Sequence, residues 1–193
     1  MPPEPAQVAP DRLRQTLLTF VDLLEAQGVP YMVIGAMAVA MWGQPRATAD
    51  IDFTVLTDSD GLETIGQEAE RRGLVIDRQW LDWHPLQRGK QIRLTSGDFL
   101  IDAVRPMDQH QEEALGRCRL LEIGGRGVRF VSPEDLIVMK IKAGRPRDFE
   151  DAISVLAKQK GKLDEQYMLD WAHRIGVYDE LTYILRGETF DFG

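Results

Sequence analysis

Three features of the 193-residue chain carry residue types suited to phosphate and metal chemistry. Asp50-Ile51-Asp52 places two carboxylates two residues apart. On a strand, residues i and i+2 face the same side, so both acids project together and can converge on one cation. Two like charges on one strand face cost stability unless a cation neutralises them. The second feature is Asp102, between Ile101 and Ala103 on an apolar stretch, where an acid implies a partner. The third is Gly35, between an apolar stretch and a run of small residues. A strand that ends in glycine at a helix start presents free N–H groups and the positive end of the helix dipole to an anion. Together these give a phosphate cradle, a carboxylate pair and a third carboxylate. That set of oxygen ligands suits Mg²⁺, which takes carboxylates plus substrate phosphates, and two such ions could align a triphosphate with an attacking hydroxyl.

The elements that must position these residues can be read from periodicity. Residues 1–10 hold four of the ten prolines and read as a disordered lead-in. Leu13, Leu17, Leu18, Val21 and Leu24 recur at helical spacing from Asp11 on, stopped by Gly28 and Pro30. A strand over 31–34, a helix over 36–42, a strand over 50–55 and a helix over 59–73 follow. Two hairpins come next. The first pairs 91–95 with 99–104 about Ser96-Gly97-Asp98, the second 119–123 with 128–131 about Gly124-Gly125-Arg126-Gly127. Ser132-Pro133-Glu134-Asp135 is a helix start, with Ser at the N-cap and Pro at N1, and helices fill the chain from there. The class is α+β, a mixed sheet flanked by helices with a helical C-terminal segment. The expected division is a core over 11–131 and a helical segment over 132–193 packed on it.

Composition removes several classes. There are 23 Lys and Arg against 31 Asp and Glu, a formal net charge of −8, which disfavours general DNA binding. Cys118 is the sole cysteine, and His84, His110 and His173 lie far apart, so neither a disulfide nor a zinc ligand set is expected. With no signal-like N-terminus and no membrane-length apolar run, the expectation is a cytoplasmic protein. Lys140, Lys142, Arg145 and Arg147 form a basic stretch with no acid inside it, and Asp148 reads as the N-cap of the next helix. On a solvated helix face, Lys140 would be available to an anion and dispensable for stability. Trp80 and Trp83, in a loop-like stretch with His84-Pro85, are candidates for a pocket edge.

Ile34-Gly35-Ala36, Arg46, Thr48, Asp50-Ile51-Asp52 and Ile101-Asp102-Ala103 together resemble the nucleotidyltransferase superfamily that includes DNA polymerase β and the minimal nucleotidyltransferases. Residues 132–151, with Lys140, Arg147-Asp148 and Asp151, resemble the abortive-infection type nucleotidyltransferase toxins and their uncharacterised relatives. The resemblance implies that Asp50, Asp52 and Asp102 are the catalytic, metal-binding acids, holding two Mg²⁺. It implies that Gly35, Ala36, Arg46, Thr48 and Lys140 contact the NTP, and that Asp102 helps deprotonate the acceptor. Ala36 stands where Gly or Ser is usual, which keeps the N–H and loses a hydroxyl contact. The implied activity is NMP transfer from an NTP to a hydroxyl on an RNA end or a protein, in a toxin or phage-defence setting with a cognate antitoxin. The alternatives are a small-molecule acceptor of aminoglycoside type, or a nucleotide- or partner-binding protein that keeps the fold without turnover.

Overall fold

The computed structural model describes residues 5–187, with side chains from residue 11 on. Helix α1 (Pro5–Ala26) begins ahead of the Asp11 start given by the apolar spacing, and residues 1–4 of the expected lead-in lie outside the described residues. Its stripe of Leu17, Phe20, Val21 and Leu24 is buried, as an i, i+3, i+4, i+7 pattern requires. Strand β1 (Tyr31–Ile34) leads into α2 (Gly35–Trp42), followed by β2 (Asp50–Val55) and α3 (Ser59–Arg71). Next come β3 (Val75–Ile76), α4 (Arg78–Trp83), a 3-10 turn over Pro85–Gln87, β4 (Gln91–Ser96), β5 (Phe99–Val104) and α5 (Gln109–Gly116). The hairpin β6 (Arg119–Ile123) and β7 (Arg126–Phe130) precedes α6 (Pro133–Ala143), α7 (Pro146–Lys158), α8 (Glu165–Ile175) and α9 (Tyr178–Leu185). The mixed sheet and helical C-terminal part match the class read from the sequence.

Among the described residues seven strands make one sheet, in the order β3-β4-β5-β2-β1-β7-β6. The β2–β5 and β1–β7 pairs are parallel and the other four antiparallel. β2 therefore lies in mid-sheet, with a strand hydrogen-bonded on each side. Ile51, Phe53 and Val55 are fully buried, and the Phe53 ring meets Phe20 of α1 edge-on at 4.9 Å. Alternation sends Asp50, Asp52 and Thr54 to the opposite face, the side of α2 and the C-terminal helices.

α2 and α6 are pinned from several directions. Trp42 donates from its indole N–H to the Val131 carbonyl at 2.8 Å, and the Gln159 amide donates to the Trp42 carbonyl at 2.9 Å. For α6 the anchor is Asp135, buried one turn into the helix. It accepts from Ser132 Oγ and Tyr167 Oη, each at 2.6 Å, and pairs with His110 Nε2 at 3.1 Å and Arg117 Nε at 3.3 Å. Burial alone would push this carboxyl up, but the bonds from His110, Ser132 and Tyr167 outweigh it and hold it below the usual range. The helix start read at Ser132-Pro133 is thus also a clamp that fixes α6 to α5 and α8.

Candidate functional site

The site is built on the register of three adjacent strands. Asp52 is the Cα partner of Ile34 on β1 and of Asp102 on β5, and Asp50 is paired with Leu100. The parallel β2–β5 register thereby brings Asp52 and Asp102 side by side, with Asp50 two residues along on the same face. Gly35 closes the arrangement from the end of β1. It sits at φ +64°, and a Cβ there would lie 2.0 Å from Asp52 Oδ2. Glycine is required twice, by the left-handed backbone and by the carboxylate packed against it. Ile34, at the N-cap of α2, offers no side-chain acceptor, so the first N–H groups of that helix are left to an anion.

A cavity of about 470 Å³ opens here between the sheet and the C-terminal helices. Gly35, Ala36, Arg46, Thr48, Asp50, Asp52 and Lys140 all line it, so seven of the residues singled out in the sequence share one space. Asp102 is not among the lining residues. It is 9% exposed, and both its oxygens are taken by Arg93, Nε to Oδ1 at 2.8 Å and Nη2 to Oδ2 at 2.6 Å. Thr48 caps the start of β2, its hydroxyl accepting from the Asp50 N–H at 3.1 Å. Arg46 grips Asp151 with two bonds, at 3.1 and 3.2 Å.

Lys140 differs from a solvated-face lysine. It is 9% exposed, and its Nζ lies 2.8 Å from both Asp148 and Asp151. Asp148 is not an N-cap. Pro146 occupies the first turn of α7 and Arg145 takes the cap position, leaving Asp148 inside the helix between Lys140 and Arg145. Replacing Lys140 by methionine leaves two buried carboxylates with only Arg46 and Arg145. The expected loss lies at the low end of about 3–5 kcal/mol, since two cations remain. A urea midpoint unchanged from wild type would return Lys140 to the surface.

The acids on β2 are short of positive charge. Burial, then Asp102, then Asp50 push the Asp52 carboxyl up to about 6, and Lys140 and Arg93 only partly offset this. Among the described residues no group of three or more His, Cys, Asp or Glu is arranged to hold a metal ion. What does fit is the Asp50–Asp52 pair on the cavity wall. Two carboxylates facing phosphate-sized space suit Mg²⁺, which completes its shell with water and phosphate oxygens.

Sequence reasoning missed Arg93 and Gln111 and named Asp151 only within the toxin-like stretch; Gln111 lines the cavity, Arg93 holds Asp102, and Asp151 holds Arg46 and Lys140. Trp80 covers Arg93, its ring centre 4.5 Å from the guanidinium carbon, whereas Trp83 is 77% exposed. Both lie on the short helix α4 rather than in a loop.

Residues 13–180 match the family described as nucleotidyl transferase of unknown function (DUF2204), and the chain belongs to that family. No curated protein matches it in sequence. Among solved structures it is similar to the antibiotic-resistance factor ANT(2'')-Ia in complex with adenylyl-2''-tobramycin, with TM-score 0.58 and 17% identity over 83% of this chain and 97% of that one. It is also similar to an antigenic nucleotidyltransferase-like protein from Paracoccidioides brasiliensis, with TM-score 0.53 and 15% identity over 94% and 95% of the two chains. The lincomycin-bound lincosamide antibiotic adenylyltransferase LnuA aligns with TM-score 0.51 and 16% identity over 73% of this chain and 94% of that one. At these identities the likeness is one of fold. The abortive-infection likeness rests on residues 132–151 alone.

Proposed function

We propose that the protein transfers NMP from an NTP to a hydroxyl acceptor, with Mg²⁺ held by Asp50 and Asp52. The observation that carries this reading is the convergence of the Gly35 helix start and the Asp50–Asp52 pair on one cavity. The N–H groups after Gly35 hold triphosphate oxygens, and Arg46 and Lys140, themselves fixed by Asp148 and Asp151, set the potential of the wall behind them. Mg²⁺ bound at the pair supplies charge neutralisation and alignment of the triphosphate. The acceptor oxygen bonds to the α-phosphorus as the bond to the bridging oxygen breaks. Pyrophosphate leaves with the electron pair, and the hydroxyl proton passes to solvent at the mouth of the cavity.

The cavity also takes in Arg145 and Arg147, both exposed. Arginines at the mouth favour an anionic acceptor, such as the end of an RNA, over a polycationic aminoglycoside. This choice agrees with the toxin-like stretch over 132–151, and with it a toxin or phage-defence role beside an antitoxin. Incubation with each labelled NTP and Mg²⁺, in the presence of total RNA, the protein alone, or an aminoglycoside, gives the test. Label on RNA is the expected result. Label on the aminoglycoside would replace the acceptor reading, and the absence of both label transfer and NTP binding would overturn the enzyme reading.

A further inference from the structure

The partner of Asp102 is a guanidinium held as firmly as the acid itself. Arg93 and Asp102 are Cα partners on β4 and β5, two strands inside the sheet. The two side chains join by paired bonds, Nε to Oδ1 at 2.8 Å and Nη2 to Oδ2 at 2.6 Å, the two-point pairing in which arginine matches a carboxylate best. The Trp80 ring backs the guanidinium at 4.5 Å and is itself stacked on His84 at 4.5 Å. Asp77, which caps α4 by accepting from the Trp80 N–H at 2.9 Å, also adds its field at Arg93. So the cation is fixed by its strand, by the ring over it and by Asp102. Its field reaches the working face too, because Asp50 and Asp52 both sense it.

We propose that Arg93 is the resident cation of Asp102, so that the site works with one divalent ion, held by Asp50 and Asp52, and a guanidinium in the place of a second. Two further observations agree. Asp102 does not line the cavity that Asp50 and Asp52 line, and the three acids do not form a three-ligand metal group among the described residues. In this role Arg93 is a positioning residue. It keeps Asp102 aimed, and Asp102 in turn adds negative field at Asp52 rather than a metal–oxygen bond.

The inference rests on the reading of Asp50 and Asp52 as the Mg²⁺ site, and the experiment separates the two. Mn²⁺ is titrated into the full-length protein, saturated with a non-transferable α,β-methylene NTP, and free Mn²⁺ is counted by electron paramagnetic resonance. Wild type is expected to bind one Mn²⁺ per chain. Arg93→Met, which frees both Asp102 oxygens, is expected to bind two, and Arg93→Lys, which keeps a charge, one. Two ions in wild type would mean that metal displaces Arg93, and the proposal fails on that count alone, whether or not the variants fold. One ion in a folded Arg93→Met protein also overturns it, since Arg93 would not be what excludes the second. If Asp50→Asn binds as many ions as wild type, the Asp50–Asp52 site is wrong and the inference falls with it.

Discussion

Alanine at position 35 is expected to remove nucleotidyl transfer almost completely, well beyond what its cost to the fold of roughly 1–3 kcal/mol would explain. The added methyl would lie 2.0 Å from Asp52 Oδ2, 2.8 Å from Cγ and 3.0 Å from Cβ. The whole Asp52 side chain must therefore rotate away, because β1 and β2 are locked by their pairing. A displacement of about 1 Å in a positioned group can cost about 10²-fold in rate, and here the group is a candidate metal ligand. The backbone at φ +64° adds roughly 1–3 kcal/mol of strain for any residue with a Cβ. Gly28 supplies the control. It has nearly the same backbone, φ +65°, with nothing within 4 Å of a built Cβ. Gly28→Ala should show the strain in thermal melts and leave transfer intact. If Gly35→Ala and Gly28→Ala have the same activity, the contact with Asp52 does not position a working group.

That comparison also marks where the sequence was informative. A strand, a glycine and a helix are readable from types and spacing alone, and so is the alternation that puts Asp50 and Asp52 opposite Ile51 and Phe53. The closeness of Gly35 to Asp52 is not, because it depends on the antiparallel pairing of Ile34 with Asp52. Arg93 was lost through one residue of register. Read as the three-residue turn Ser96-Gly97-Asp98, the hairpin pairs Thr95 with Phe99 and sets Ile92 against Asp102. The observed turn has two residues, Ser96 pairs with Phe99, and Arg93 moves opposite Asp102. A slip of one residue exchanges the two faces of a strand. Lys140 was misplaced for a different reason. The absence of acids inside 140–147 is a local count, whereas its partners Asp148 and Asp151 arrive from the next helix once Gly144 turns the chain back. The short α4 and α5 escaped because neither has enough turns for an apolar period. Their only sequence marks are the caps Asp77 and Asp108.

Asparagine at position 52 is expected to abolish transfer and, at neutral pH, to stabilise the protein. The two effects share one cause. In the folded chain the Asp52 carboxyl is pushed up to about 6, from an ordinary value of 3.8, by burial and by Asp102 and Asp50. A folded value above the unfolded one means that the native state holds the proton more tightly. Between these two values the native state binds more protons than the unfolded state, so stability falls as pH rises, and above about 6 the penalty is complete. A shift of this size corresponds to about 3 kcal/mol at most, which for a chain of this length is roughly 5–10 °C in melting temperature. The asparagine side chain keeps the shape beside Gly35 and drops the charge. The variant should therefore melt several degrees above wild type at pH 7.5, with the gap shrinking toward pH 4.5. Saturating Mg²⁺ with an NTP should raise the melting temperature of wild type and do little for Asp52→Asn, because the ion and the substitution relieve the same repulsion. Transfer should fall by at least about 10²-fold, the scale on which a lost electrostatic contact to a transition state is felt. A variant less stable than wild type at pH 7.5 would show that Asp52 is satisfied by its surroundings. On the Mg²⁺ reading proposed above, a cation and a triphosphate arriving together relieve this repulsion, so the acid with the most charge to neutralise is the one with the most to gain from the metal.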